Sequence, residues 1–98
     1  MWRVSPEEEE LIRQLYEATR RTGVGKNVKM VIAERICPSD VVQVNLVCGE
    51  ARSFLKIGKL EVDAARVGDA GGREIQLRLR KVMQDLEIRA KKHVPGGA

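Results

Sequence analysis

Hydrophobic positions recur at helical spacing near the start of the chain, where they predict an amphipathic helix over 5–22. Ser5, Pro6 and Glu8 supply an N-cap, a first helical residue and a capping box. Gly23 fits the left-handed residue that commonly follows the end of a helix. The side chains that share the apolar face are Leu11, Ile12, Leu15, Tyr16, Ala18 and Thr22.

The pattern becomes strand-like in the middle of the chain. Residues 27–36 are apolar on both sides near their centre, which predicts an inner strand. Residues 41–48 alternate, with Val42, Val44 and Leu46 on one side. The intervening Cys-Pro-Ser-Asp sequence favours a turn, so the two segments are predicted to form a β-hairpin.

A second turn at Gly49 leads into residues 51–67, which Gly58 divides. These residues are predicted to form two short strands, or one long strand bent at the glycine. Alternation in 59–67 favours a strand there, while its paired alanines leave a helix open. The glycine-rich residues 68–72 are predicted to form a flexible loop.

Residues 73–92 carry two competing patterns. The first eight residues alternate as in a strand, but nearly the whole segment consists of strong helix formers. Helical spacing also places six apolar side chains on one face, namely Ile75, Leu79, Val82, Met83, Leu86 and Ala90. We therefore predict a helix over the whole segment.

The order of these elements predicts an α+β fold. It consists of an N-terminal helix, an antiparallel sheet of three to four strands and a C-terminal helix, with both helices packed on one sheet face. Residues 1–93 form a single domain in this prediction, and residues 94–98 form a flexible tail.

Composition adds constraints on location and partners. The chain has 98 residues, of which 43% are hydrophobic and 33% charged, as expected for one folded domain. Its first residues carry acid where a signal peptide needs an apolar run, and no stretch is apolar enough to span a bilayer. We therefore expect a cytoplasmic protein without a membrane partner.

The sequence Arg-Arg-Thr-Gly-Val-Gly-Lys-Asn at 20–27 resembles part of a phosphate-binding loop. A Walker A loop needs a glycine where Arg20 stands, and a Ser or Thr where Asn27 stands. A helix precedes this segment and a strand follows it, so no helix N-terminus is available to hold a phosphate. The segment is better interpreted as a helix end followed by an exposed basic loop.

Catalytic and metal-binding patterns are weak. Zinc sites need several Cys or His residues at close spacing, whereas this chain has Cys37, Cys48 and His93. The hairpin keeps the two cysteines apart, so we expect Cys37 to be a turn thiol and Cys48 a small core side chain. No constellation of acid, base and nucleophile can be assembled. We expect no enzyme activity, no cofactor, no metal and no small-molecule substrate.

Positive charge is the strongest functional signal. The formal net charge is +4, and residues 72–98 carry seven basic against three acidic side chains. Such a cluster favours contacts with nucleic-acid phosphates, and the three aromatic residues are too few to favour base stacking. We therefore predict a domain that contacts the backbone of a structured RNA or DNA duplex. The predicted contact residues are Arg20, Arg21, Lys26, Lys29, Arg73, Arg80, Lys81, Arg89 and Lys92.

The order of elements resembles the topology of double-stranded RNA-binding domains and of the small Alu-RNA-binding subunits of the signal recognition particle. The likeness covers most of the chain and rests on element order alone. In the double-stranded RNA-binding domains the second helix begins with a cluster of lysines. The corresponding residues here, from Gly68, have the glycines but lack that cluster.

The competing prediction is a protein–protein assembly module, in particular a homodimer. Val41, Val47 and Phe54 are expected on the sheet face away from the helices, where a partner would cover them. In that case substitution of exposed sheet residues would change the oligomeric state, and substitution of Arg78 or Arg80 would have little effect.

Overall fold

The computed structural model describes residues 1–92, so His93 and the predicted tail at 94–98 lie outside the described residues. The elements in chain order are β1 (Trp2–Arg3), α1 (Pro6–Arg21), β2 (Lys29–Val31), β3 (Ile36–Cys37), β4 (Val41–Cys48), β5 (Ala51–Gly58), α2 (Lys59–Val67) and α3 (Asp69–Lys92). Strands β2, β4 and β5 form an antiparallel sheet in the order β2-β4-β5, and β1 pairs with β3 in a separate antiparallel ribbon.

Helix α1 begins as predicted. The Glu8 backbone amide donates to Ser5 Oγ at 3.1 Å, and the Ser5 amide donates to Glu8 Oε1 at 3.0 Å, which completes the capping box. The Trp2 indole N–H also reaches both carboxylate oxygens of Glu8 at 3.2 Å. Glu8 is therefore a buried polar side chain, and its carboxylate accepts hydrogen bonds from the Ser5 amide and from the Trp2 indole of β1.

Both long helices contribute buried apolar side chains to the core on one side of the sheet, which confirms the α+β fold, although Thr22 of the predicted α1 face is exposed. Helix α3 lies across β4 and β5, and α1 packs along α3. The fully buried side chains of α3 are Ile75, Leu79, Met83 and Leu86. They meet Val42, Val44, Leu46 and Ile57 of the sheet and Ile12 of α1 in one hydrophobic core.

The prediction of an inner strand over 27–36 was wrong. Only Lys29–Val31 pairs in the main sheet, at an edge, with Met30 opposite Leu46. The chain then leaves the sheet, and Ile36 and Cys37 pair with β1 instead. The segment is apolar on both sides although only one side is buried: Met30 lies in the core, whereas Val31 is 52% exposed.

The strand favoured at 59–67 and the loop predicted at 68–72 were also wrong, whereas the helix left open at 59–67 is present. Residues 59–67 form α2, and α3 already begins at Asp69. Glu61 Oε1 accepts the Gly58 amide at 2.9 Å, which satisfies a free donor at the start of α2. A Cβ built on Gly71 would lie 2.6 Å from the Ala64 carbonyl carbon, so this glycine allows α3 to approach the α2 backbone.

The cysteines are separate and both are buried. Cys48 is the core side chain that was predicted, whereas Cys37 is not a turn thiol, because it lies in β3 opposite Trp2 with only 4% of its surface exposed. Burial, together with the nearby Glu34 and Asp40 carboxylates, raises the pKa of the Cys37 thiol. The thiol form is therefore favoured, which disfavours nucleophilic chemistry.

Candidate nucleic-acid interface

Arg20 is engaged in holding the loop after α1. Its guanidinium donates to the Lys26 carbonyl oxygen at 3.0 Å and to Glu17 Oε1 at 3.4 Å. It also lies over the Tyr16 ring, 5.5 Å from the centroid. Tyr16 in turn donates its hydroxyl to the Val28 carbonyl oxygen. The structure thus assigns Arg20 to the packing of this corner, although part of its side chain is exposed.

The loop itself is anchored against α3. Gly23 has φ 95°, which confirms the predicted left-handed helix end. The Gly25 amide donates to Glu87 Oε1 at 2.7 Å, and a Cβ on Gly25 would overlap the Met83 side chain. Because Gly25 is held by a carboxylate of the protein, its amide is not available to a phosphate. Arg21 and Lys26 extend from this corner into solvent.

The exposed side of α3, opposite its buried stripe, is named here the α3 outer face. It consists of Arg73, Leu77, Arg80, Lys81, Gln84, Ile88, Lys91 and Lys92, and the exposed acidic side chains Glu74 and Asp85 flank it. None of its basic side chains has an ion-pair partner among residues 1–92. Unpaired cations of this kind are free to contact an external anion without first breaking an internal bond.

Two of these arginines flank a shallow groove where α3 meets the end of α1. The groove has a volume of about 250 Å³, and Arg73 and Arg80 line it together with Leu77, Ala18 and Thr22. The two arginines are seven positions apart in the sequence, which places them about 10 Å apart along the helix axis. Lys81 follows Arg80 on the outer side of the helix, so three cations lie within three turns.

Arg89 belongs to a different surface. Its Nε lies 3.0 Å from Asp85 Oδ2, and its side chain borders a hollow with Glu50 and Arg52 at the β4–β5 turn. Arg78, a further basic residue of the last helix, pairs with Glu61 and donates to the Lys56 carbonyl oxygen. Both arginines are therefore engaged in the fold and contribute less free charge than the sequence indicates.

Lys29 lies on the face of the sheet that the helices leave uncovered, named here the open sheet face. Its members are Lys29, Val31, Val41, Gln43, Asn45, Val47, Arg52, Phe54 and Lys56. Phe54 is 53% exposed and Val41 is also exposed, as predicted for this face, while Val47 is half-buried. None of the strand residues on this face is acidic.

Sequence reasoning missed Arg52 and Lys56 as members of a charged surface. The signal was present, because Arg52, Phe54 and Lys56 alternate with Leu55 and Ile57 along β5. Leu55 and Ile57 are buried, so the other three must face solvent. The unresolved choice between one strand and two over 51–67 hid this alternation.

Within residues 1–92, no three His, Cys, Asp or Glu side chains come together in a way that could hold a metal ion. In the same part of the chain, no helix combines the length and apolarity needed to cross a bilayer.

Comparison of the chain with protein-family models, curated proteins and solved structures found no significant match.

Proposed function

We propose that this chain is a non-enzymatic domain that binds the phosphate backbone of a structured nucleic-acid duplex through the α3 outer face. The observation that carries the proposal is the contrast between paired and unpaired cations. Arg20, Arg78 and Arg89 are held by internal partners, whereas Arg73, Arg80 and Lys81 are not, within the described residues.

The size of the face supports a duplex as the partner. Residues 73 to 92 span about 28 Å of helix, which approaches one turn of a nucleic-acid duplex at about 34 Å. Phosphate contacts need charge at suitable spacing and no deep pocket, and the groove beside Arg73 and Arg80 is shallow. Arg21 and Lys26 lie at the corner where α1 ends and could extend the contact along the backbone.

The test is a titration of blunt duplex RNA and DNA against the protein at several salt concentrations. Three phosphate contacts predict a slope of log K against log salt of about −3. The double variant Arg80→Gln, Lys81→Gln should reduce the steepness by about 2 and weaken binding at low salt. The matched control is Arg3→Gln, Arg66→Gln, which removes the same charge from exposed positions outside α3.

The two double variants have the same net charge, so a difference between them reports position. Equal weakening in both would mean that only net charge matters, and would refute an interface on α3. Wild-type protein that does not bind duplex at low salt, or whose affinity does not fall as salt rises, would refute nucleic-acid binding altogether.

Two apolar side chains favour assembly as a second candidate function. Leu77 and Ile88 are 60% and 53% exposed, and eleven residues separate them on the α3 outer face. A second copy packing through this helix would cover both. Light scattering across a concentration series tests this candidate: a dimer that Leu77→Gln converts to a monomer supports it, and a monomer at all concentrations refutes it.

A further inference from the structure

The open sheet face is ordered in rows across its three strands. Lys29, Val47 and Arg52 form one row, because Val47 pairs with both Lys29 and Arg52. Val31, Asn45 and Phe54 form the next row through Asn45, and Gln43 pairs with Lys56 beyond it. An aromatic and apolar row therefore lies between two rows that carry positive charge.

Along β5 the charged and aromatic side chains of these rows follow one another at a regular distance. Arg52, Phe54 and Lys56 project on the same side of β5, and alternate residues in a strand are about 7 Å apart. The Lys56 ammonium lies over the Phe54 ring, 5.9 Å from its centroid, so a stacked base must take the other ring face or displace this ammonium. Trp2 and Tyr16 are buried, so Phe54 is the aromatic ring that the described residues expose to a ligand.

Side-chain amides and a groove adjoin the ring. Gln43 Nε2 donates to Asn45 Oδ1 at 2.9 Å, which leaves the Asn45 amino group and the Gln43 carbonyl oxygen without partners among residues 1–92. Residues Ala33 to Ser39, which include β3 and the Glu34 carboxylate, form one wall of a groove of about 420 Å³ over Gln43, Asn45 and Lys56. This groove offers a free donor and a free acceptor, and Phe54 lies next to it as the cross-strand partner of Asn45.

We propose that the open sheet face binds an unpaired nucleotide segment, with one base stacked on Phe54 and the adjoining phosphates contacted by Arg52 and Lys56. The inference rests on the proposed nucleic-acid-binding function and adds a site for single strands on the opposite side of the molecule from the α3 outer face. Every base has a π-face, so the stacking contact does not require a particular sequence. The small number of aromatic residues limits this platform to one base.

Charge favours this occupant over a second copy of the chain. A two-fold contact through the open sheet face would place Lys29, Arg52 and Lys56 against the same three cations. The strands provide no carboxylate to pair with them, and Glu34 and Glu50 lie only at the borders of the face. A polyanion neutralises all three. Bases inside a duplex are stacked on both faces and cannot reach Phe54, so apart from a terminal pair the segment must be unpaired.

The test compares a single-stranded oligonucleotide of about ten residues with a blunt duplex, using fluorescence anisotropy with Phe54→Leu and Phe54→Trp. Leucine keeps an apolar side chain but removes the stacking surface, so single-strand affinity should fall on the order of tenfold. Phe54→Trp keeps an aromatic stacking surface, so its single-strand affinity should equal or exceed that of the wild type. Blunt-duplex affinity should stay unchanged in both variants. Lys56→Gln should make the single-strand salt slope shallower by about 0.7.

Thermal unfolding of each variant checks that the fold is intact. Little change is expected, because half of the Phe54 surface is exposed and little core packing depends on it. If Phe54→Leu binds the single strand as the wild type does, the inference is wrong even when duplex binding stands. If the wild type binds neither nucleic acid, both proposals fail. If Phe54→Leu instead dissociates a dimer, or abolishes binding of an acidic peptide while single-strand affinity is unchanged, the face has a protein partner and the inference is again wrong.

Discussion

Adjacent glycines at the start of α3 provide a matched pair for testing how closely α2 and α3 approach each other. A Cβ on Gly71 would lie 2.6 Å from the Ala64 carbonyl carbon, 2.7 Å from the Ala65 amide nitrogen and 2.8 Å from the Ala64 carbonyl oxygen. All three atoms belong to the backbone, so no side-chain rotation relieves the overlap. A Cβ on Gly72 would instead lie 3.4 Å from Leu15 Cδ2, an ordinary contact.

The two substitutions should therefore change stability in opposite directions. Glycine to alanine in a helix gains up to about 1 kcal/mol from backbone propensity, somewhat less in the first turns. Gly71→Ala also forces α2 and α3 apart, and overpacking of this kind costs about 1–3 kcal/mol. We expect a net loss of about 1–2 kcal/mol for Gly71→Ala and a gain of about 0.5 kcal/mol for Gly72→Ala.

Urea unfolding followed by tryptophan fluorescence measures both variants. The chain has one tryptophan, and Trp2 is 3% exposed in the folded state, so its emission should shift on unfolding. A difference of about 2 kcal/mol between the variants corresponds to roughly 10 °C in melting temperature for a domain of this size. Equal stability of the two variants, or a more stable Gly71→Ala protein, would refute the close contact between the helices.

Two further predictions concern the polar contacts of the fold. Burial by itself would raise the pKa of Glu8, but its hydrogen bonds from the first turn and the indole outweigh burial and hold the pKa below its ordinary value of 4.5. The stabilisation that Glu8 contributes should therefore be fully present above pH 4.5 and be lost as the pH falls through the pKa of Glu8 in the folded protein. Glu8→Gln should lower the free energy of unfolding by about 1 kcal/mol near neutral pH. In urea unfolding at acid pH, the free energy of unfolding of this variant should depend less on pH than that of the wild type. Parallel pH dependences of the two proteins would contradict this. Arg78→Ala should lower the free energy of unfolding by about 1 kcal/mol, because it releases Glu61 at the junction of α2, α3 and β5. Arg80→Ala, the control, should change the melting temperature little. Equal effects of the two substitutions would contradict the distinction between a paired Arg78 and an unpaired Arg80.

Local patterns predicted the long elements well because the interactions behind them lie within a few residues. The capping box of α1 and the left-handed Gly23 depend on contacts within one helical turn, and both are present. The segment 59–67 was misassigned because Leu60, Val62 and Ala64 alternate as a strand would. Only Val62 is buried, and the other two side chains of that pattern are exposed on a helix.

The charged surfaces could be predicted only in part. Sequence alone places an excess of cations in the last quarter of the chain, but it cannot say which of them have internal partners. Arg78 is paired through Glu61, seventeen positions away, and the Lys29 row exists only because Val47 and Arg52 pair beside it. Such contacts depend on register and on the approach of distant elements.

The sequence by itself therefore determined both ends of α1, the alternation of β4 and the buried stripe of α3, because backbone propensity and hydrophobic spacing act locally. Tertiary structure decided which strand lies at the edge of the sheet, which cations remain free and which aromatic ring is exposed. Those outcomes depend on pairings across the chain, where burial and hydrogen bonding select one arrangement among several that the local pattern allows.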